Sequence, residues 1–561
     1  MVAPVQRAGS RRTYDMPNPY PQDPTTATRH LCAAAYLDES FRTRSLRYVY
    51  YQAKRLVAPS FGFDLVPVLS HCLRARNGAL VRGAVLLLTL VTAAFISTPV
   101  CVGTLAAVVG LQVTVSTYRL VRDALRDLRA GVPIDRQTLI PRVILMSVGW
   151  GLVMVVFMLA VGQLRNTPSA YSYADGYPST SSSETGVVFL ILIVFLWPVA
   201  HAIWRQNELS RLVPGSPLRM PHRTERLDEV GRQQRGNTAV YSGYRPYVGS
   251  GPVVSTEGIA LRLVRPESPL HGLHAEAGPT ELQREFEQPP FQAHEIISYV
   301  RDHLTAVLPG HRAEEEIAGL SVEDRICLAG TEVGELSPDT SPEVTAAVVQ
   351  HPTTPARHYL TCQVFGWGGQ LVTTVYVHIA VQGRSLYLEM TTTALPPCAE
   401  QYRVVDTAEA TEPVAWLQAL GRSVIETPSI IARAPLTIGR AVADLVIGSG
   451  QVAGAATLSR GFDYGARYSV REMGTELVLR NGRYLEDGLR NLTQMQDVDR
   501  YRHLIERRVL AAVLDFLEDS GVDTVEYRAR AASILNVTGG HNNFGGTNTY
   551  NGSVTVQAGR S

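Results

Sequence analysis

Cys362, His358 and His378 are the residues whose types and spacing come closest to chemistry. A thiol beside an imidazole is a nucleophile with its base. The three fall in a run of alternating apolar and polar residues and could converge on one face of a β-meander. No third group that would orient the base is visible in the sequence. Cys362 is therefore read as core and His378 as a cross-strand partner. His271 and His274 have the spacing of metal ligands, but no third ligand accompanies them. The glycine runs at 366–369 and 448–450 are not followed by the Gly-Lys-Ser/Thr that holds a phosphate. HExxH, GxSxG and the kinase signatures are absent as well. Six cysteines occur, no two within 28 residues of each other, so there is no metal knuckle. No catalytic, cofactor-binding or metal-binding residue is assigned, no cofactor is expected, and the non-enzymatic reading is preferred.

The elements around these residues divide between lipid and water. The 561 residues carry a net charge of +1, and that sum hides two opposite halves. Residues 1–226 hold 24 Lys and Arg against 12 Asp and Glu, and the remainder holds 28 against 39. A basic half suits an anionic membrane face, and an acidic half argues against nucleic acid as its partner. Lys54 is the single lysine among 52 basic residues, which points to a GC-rich genome. The first apolar run starts at 83, too late for a cleaved signal peptide.

Three stretches carry no charge: 83–118, 143–164 and 185–204, of 36, 22 and 20 residues. About 20 helical residues cross a bilayer core, so the second and third each make one crossing. The first is long enough for two, with a turn at Ser97-Thr98-Pro99. Four transmembrane helices follow, at about 83–97, 99–118, 143–164 and 185–204. Residues 1–82 carry 12 basic and 5 acidic residues, and 119–142 carry 6 and 3. The loop 165–184 carries one basic and two acidic residues. The positive-inside rule then puts both termini in the cytoplasm of a plasma-membrane protein. No crossing contains Asp, Glu, Lys or Arg, which speaks against an ion path unless the chain oligomerises around a pore.

Residues 1–28 read as a disordered tail and 29–82 as a cytosolic helical region leading to Arg74, Arg76 and Arg82. That region either lies on the headgroups or packs as a small helical domain. Residues 205–243 read as a linker. The arginine-rich stretch 219–235 is a candidate contact for anionic lipid. Residues 244–530 read as an α+β domain. Its helices are expected at 293–308, 413–425 and 498–517, the last capped by Asp497. Its antiparallel meander has strands at 358–365, 370–381 and 385–393. The segment 428–457 is apolar but holds Arg433, Arg440 and Asp444, so it reads as buried or interfacial and not as a fifth crossing.

The tail, 531–561, is rich in Gly and Asn, and its first 29 residues lack charge. That composition permits cross-β stacking. The tail resembles the short Gly/Asn-rich amyloid-type signalling motifs at the chain ends of multicellular bacteria, which implies self-assembly as one partner interaction. The arginine-only basicity, the segment Tyr247-Val248-Gly249-Ser250-Gly251 and this tail together resemble uncharacterised multi-pass integral membrane proteins of actinobacteria. That resemblance implies a source and no catalytic residue. The expected function is a membrane-anchored scaffold or signalling protein with the lipid bilayer as its first partner. A membrane-bound enzyme with its site in the meander domain and a small oligomeric channel are the alternatives.

Overall fold

The computed structural model describes residues 26–96, 182–267, 280–305, 319–333, 337–406, 462–475 and 491–536. It also describes Ile317, Trp416, 429–431, 433–443, 479–480, 483–484 and helical positions scattered between 110 and 158. Helix α1 (Thr26–Leu37) and helix α2 (Glu39–Ser45) form the start. Asp38 separates them and accepts hydrogen bonds from the Ser40 and Phe41 amides, which satisfies two orphan donors of α2.

Helix α3 runs unbroken from Leu65 to Ile96 over 32 residues, about 48 Å. Leu65, Val68, Leu69, Cys72 and Leu73 repeat at helical spacing and are buried against α1. The expected boundary at 82, between a cytosolic region and a first crossing, falls inside this one helix. Among the described residues, α3 is the one helix long and apolar enough to cross a membrane, where four crossings were expected. Those at 99–118 and 143–164 lie largely outside the described residues. At the fourth, helix α4 (Ser182–Ser210) is longer than the expected 185–204. Gly78 lets the Trp204 ring lie directly on α3, where a methyl group would stand only 2.7 Å from it.

Helix α5 (Glu225–Gln233) and strand β1 (Thr238–Tyr241) occupy what was expected to be linker. Gln234 ties α5 to the start of α3: its oxygen accepts from the Leu65 amide and its nitrogen donates to Asp64. The remaining strands are β2 (Val253–Arg262), β3 (Leu320–Ala329), β4 (Arg357–Gly366), β5 (Leu371–Gln382) and β6 (Ser385–Leu395). They form one six-stranded sheet in the order β1-β3-β4-β5-β6-β2. All pairings are antiparallel except β1 with β3. The expected meander is β4 to β6, and β3 was not foreseen.

One sheet face carries the core. Leu360, Cys362 and Val364 on β4 and Val375, Val377 and Ile379 on β5 pack under helices α6 (Ala293–Thr305), α8 (Leu492–Asp519) and α9 (Val525–Asn536). A further helix, α7 (Pro342–Gln350), flanks β4. Helix α8 starts six residues before the expected 498 because Asn491, not Asp497, caps it. Asp497 lies within the helix and accepts from the Trp367 indole at 2.9 Å, pinning the β4–β5 turn to α8. Residues 531–536, expected as tail, belong to α9 and bury Ile534 in the core. The rest of the tail, the helix at 413–425 apart from Trp416, and His271 and His274 lie outside the described residues.

Glu506 on α8 is 1% exposed, 3.7 Å from the Arg502 guanidinium, and too far from it for a hydrogen bond. Burial pushes its carboxyl up to about 7, against the pull of Arg502. The folded state therefore holds a proton there that the unfolded chain releases near pH 4.3. Stability is greatest below that pH and falls as pH rises through about 7. Glu506→Gln should gain about 2 kcal/mol at pH 8 and nothing at pH 4. Thermal midpoints of both proteins at the two pH values check this; equal midpoints at pH 8 would refute it.

Candidate functional site where helix α1 meets the sheet

The sequence-predicted trio does not assemble. Cys362 points into the apolar core, and its burial there pushes the thiol up to about 12. His358 shares that strand four residues away, a separation of about 13 Å along β4. His358 instead bonds Asp324 at 2.8 Å, and Asp324 also takes Arg301 at 2.7 Å. His378 stands on the opposite face of β5, bonds the His358 carbonyl oxygen at 2.9 Å and packs between the Tyr359 and Tyr387 rings. His358 thus has an orienting carboxylate but no nucleophile within reach.

A different constellation forms where α1 crosses the open ends of β5 and β6. Cys398, just past β6, is 2% exposed. Its sulfur accepts from the Arg471 guanidinium at 2.8 Å. Arg471 is fully buried and donates its other terminal nitrogen to the Gln370 and Pro396 carbonyl oxygens, at 2.6 and 3.0 Å. Its Nε makes no hydrogen bond. No carboxylate meets this guanidinium among its bonds, so the sulfur is the one neighbour able to carry compensating charge.

His30, from α1, faces the same sulfur and is itself 1% exposed. Its Nε2 lies 2.6 Å from Asp406, whose side chain is 34% exposed. Gln370 lies against Nδ1 and accepts from the Cys398 amide with its own carbonyl oxygen. That polarity turns the Gln370 NH2 toward Nδ1 and suits a neutral ring with its proton on Nε2. Asp406 and Cys398 favour the other form. Burial alone would lower the imidazole, and the hydrogen bonds to Asp406 and Cys398 overcome it, raising the pKa to about 9. The two forms differ by one proton on Nδ1 of His30. The set is a thiol, a base and an orienting carboxylate, the arrangement sought at Cys362. His30 and Asp406 are 376 positions apart, which is why sequence reading missed them.

The glycine segment 247–251 is also explained locally. Gly249 and Gly251 adopt φ of +96° and +88°. Their amides converge on one Glu472 oxygen at 2.9 and 3.3 Å, and Arg245 takes the other at 2.9 Å. Successive amides in such turns make an anion-binding concavity, and here the chain's own carboxylate fills it. Glu472 follows Arg471 directly, so this contact holds Arg471 against Cys398.

A second feature lies along α3. The first half of the helix is buried, whereas Val81, Leu88, Val91 and Phe95 are exposed, Phe95 at 87%. At the change-over Arg82 donates to His201 of α4 at 3.3 Å. Ile431 packs on Leu86 at this level, beside Leu90 and Trp197. The arginines of 219–235 sit elsewhere. Arg223, Arg232 and Arg235 line an open cavity of about 880 Å³ with Asp64, Val66 and Asp339. Val66 precedes Arg82 by 16 residues, about 24 Å of helix.

A family model described as an AbeC-like domain matches residues 256–555. That stretch contains Gln370, Cys398, Asp406 and Arg471, and it leaves His30 outside. No curated protein and no solved structure matches the chain.

Proposed function

Since the chain belongs to the AbeC-like domain family, whose description names no activity, we propose from its own geometry that it is a membrane-anchored signalling or interaction protein. Four apolar segments, at about 83–97, 99–118, 143–164 and 185–204, span the plasma membrane and hold the α+β domain at its cytoplasmic face. The observation that carries this reading is the change in α3. Leu65, Val68, Leu69 and Cys72 are buried in protein, while Leu88, Val91 and Phe95 on the same rod face outward, as do Leu196 and Ile203 of α4. Exposed apolar surface costs roughly 25 cal/mol per Å² in water, and a belt of this kind is stable in acyl chains. Arg82 then stands at headgroup level, with Arg205 at the end of α4's apolar stretch. On this reading anionic lipid meets those arginines, and the 219–235 arginines lie about 24 Å from the bilayer.

Because α3 belongs to both the apolar belt and the soluble core, a shift of the membrane helices displaces α1 and the edge of the sheet with it. That coupling favours signalling over a passive anchor. Reporter fusions at residues 1, 172 and 561 test the topology in intact cells. The first and last should report the cytoplasm and the middle one the outside. Opposite faces for the two termini, or a protein that stays dispersed in buffer without detergent, would refute the reading.

A further inference from the structure

We infer that Cys398 is a modification site, a sulfur that reacts with small hydroperoxides while the other four thiols among the described residues stay inert. The comparison is internal. Cys32, Cys72, Cys327, Cys362 and Cys398 are all free and buried. Burial pushes the thiols of Cys327 and Cys362 up to about 12, and Cys32 upward as well. Cys398 differs in its neighbours. A fully buried guanidinium donates to its sulfur at 2.8 Å, and the His30–Asp406 pair stands on its other side. Thiolate character, stabilised by such cations, is what makes a cysteine a nucleophile.

The chemistry balances with one hydroperoxide. The reacting form is the thiolate beside the His30 imidazolium, the thiol proton resting on Nδ1 and Asp406 orienting the ring through Nε2. The sulfur attacks one peroxide oxygen, the O–O bond breaks, and the departing hydroxide leaves as water with the proton returned from His30. Sulfur is oxidised by two electrons to the sulfenic acid, and the peroxide is reduced. Arg471 supplies the positive charge that the transition state needs near the departing oxygen. Access limits the oxidant to a small one. Cys398 is 2% exposed and His30 1%, and the one open member of the set is the Asp406 side chain, 34% exposed.

Oxidation has a structural consequence. The Ala27 carbonyl oxygen of α1 lies 3.9 Å from the sulfur. The thiol donates to that carbonyl in the reduced protein, and an S–OH has to fit into the same closed space, which favours lifting α1 from the sheet. Because α1 packs on α3, the event reaches the membrane helices.

The test uses the full chain in detergent, treated with dilute hydrogen peroxide for increasing times. It is then unfolded in a sulfenic-acid trap, and each cysteine peptide is quantified by mass spectrometry. Cys398 should be trapped at least tenfold faster than Cys32, Cys72, Cys327 and Cys362. Arg471→Met and Asp406→Asn should each reduce that preference by tenfold or more. Asp406 is partly exposed, so Asp406→Asn keeps the test valid if Arg471→Met fails to fold. Faster hydrogen exchange of α1 after oxidation would follow from the same geometry. Equal rates for the five cysteines, no trapping of any of them, or an unchanged preference in both variants would overturn the proposal.

Discussion

Gly251→Ala should abolish cooperative folding, whereas Gly243→Ala should cost only about 1 kcal/mol. Both glycines have positive φ, +88° and +66°, so an alanine at either pays the left-handed backbone cost of roughly 1–2 kcal/mol. They differ in surroundings. A methyl group at Gly243 meets nothing within 4 Å. One at Gly251 overlaps the Ala394 carbonyl and stands 2.9 Å from the Leu395 Cα, both backbone atoms of β6 that cannot rotate away. Relief requires the 247–251 turn to move off the sheet. That movement removes the Gly249 and Gly251 amides from Glu472, a carboxylate only 7% exposed. A buried carboxylate that loses two of its three donors and keeps only Arg245 costs about 3 kcal/mol. The sum, about 4–5 kcal/mol, approaches the whole stability of an ordinary domain. Thermal unfolding of the two variants in the same detergent decides the matter. A Gly251→Ala midpoint within a few degrees of Gly243→Ala would show that the turn can yield.

The same turn shows what local pattern can and cannot convey. The segment Tyr247-Val248-Gly249-Ser250-Gly251 stands out in the sequence, but its partner Glu472 is 223 residues from Gly249 and has no pattern of its own. The meander was legible because alternation, glycine turns and β-branched residues all agree over 358–393. Strand β3 was not, since Asp324 and Arg325 interrupt its apolar run. Both find partners that a linear pattern does not display: Asp324 pairs with His358 and Arg301, and Arg325 with its strand neighbour Glu323 and the Gly236 carbonyl oxygen. The length of α3 was hidden for a related reason. Arg74, Arg76 and Arg82 read as a boundary, but the helix continues through them: Arg74 pairs with Glu208 at 2.7 Å, and Arg76 lies over the Tyr51 ring. The triad-like site is the extreme case. Its histidine comes from α1 and its other members from loops after the sheet, so residue types pointed to Cys362, the cysteine with the more suggestive neighbours in sequence.

Between pH 6.5 and 9.5 the native protein should lose about 2 kcal/mol of stability through His30, and Asp406→Asn should remove most of that loss. His30 carries a proton up to about pH 9 when folded and only to about 6.5 when unfolded. Its folded-state pKa is the raised one. The contribution is therefore fully present below pH 6.5 and is lost as pH rises through 9. A difference of roughly 2.5 units is worth about 3.4 kcal/mol at most. Because the Asp406 side chain is one-third open to water, about 2 kcal/mol is the fairer expectation. Glu506 also loses stability with rising pH, but its change runs from about pH 4.3 to about 7 and is shared by both proteins, so it cancels in the comparison. Asp406→Asn takes away the carboxylate that holds the proton, so the variant should start about 2 kcal/mol weaker at pH 6.5 and converge on the native protein by pH 9.5. Thermal midpoints at four pH values for both proteins test this. Parallel curves would mean that His30 is neutral throughout, with Gln370 donating permanently to Nδ1. The proton on His30 would then have to come from Cys398 itself whenever the sulfur reacts. Convergence would mean that the imidazolium is already in place beside the sulfur at neutral pH. The pH curve therefore also tells whether His30 rests beside the sulfur as imidazole or as imidazolium.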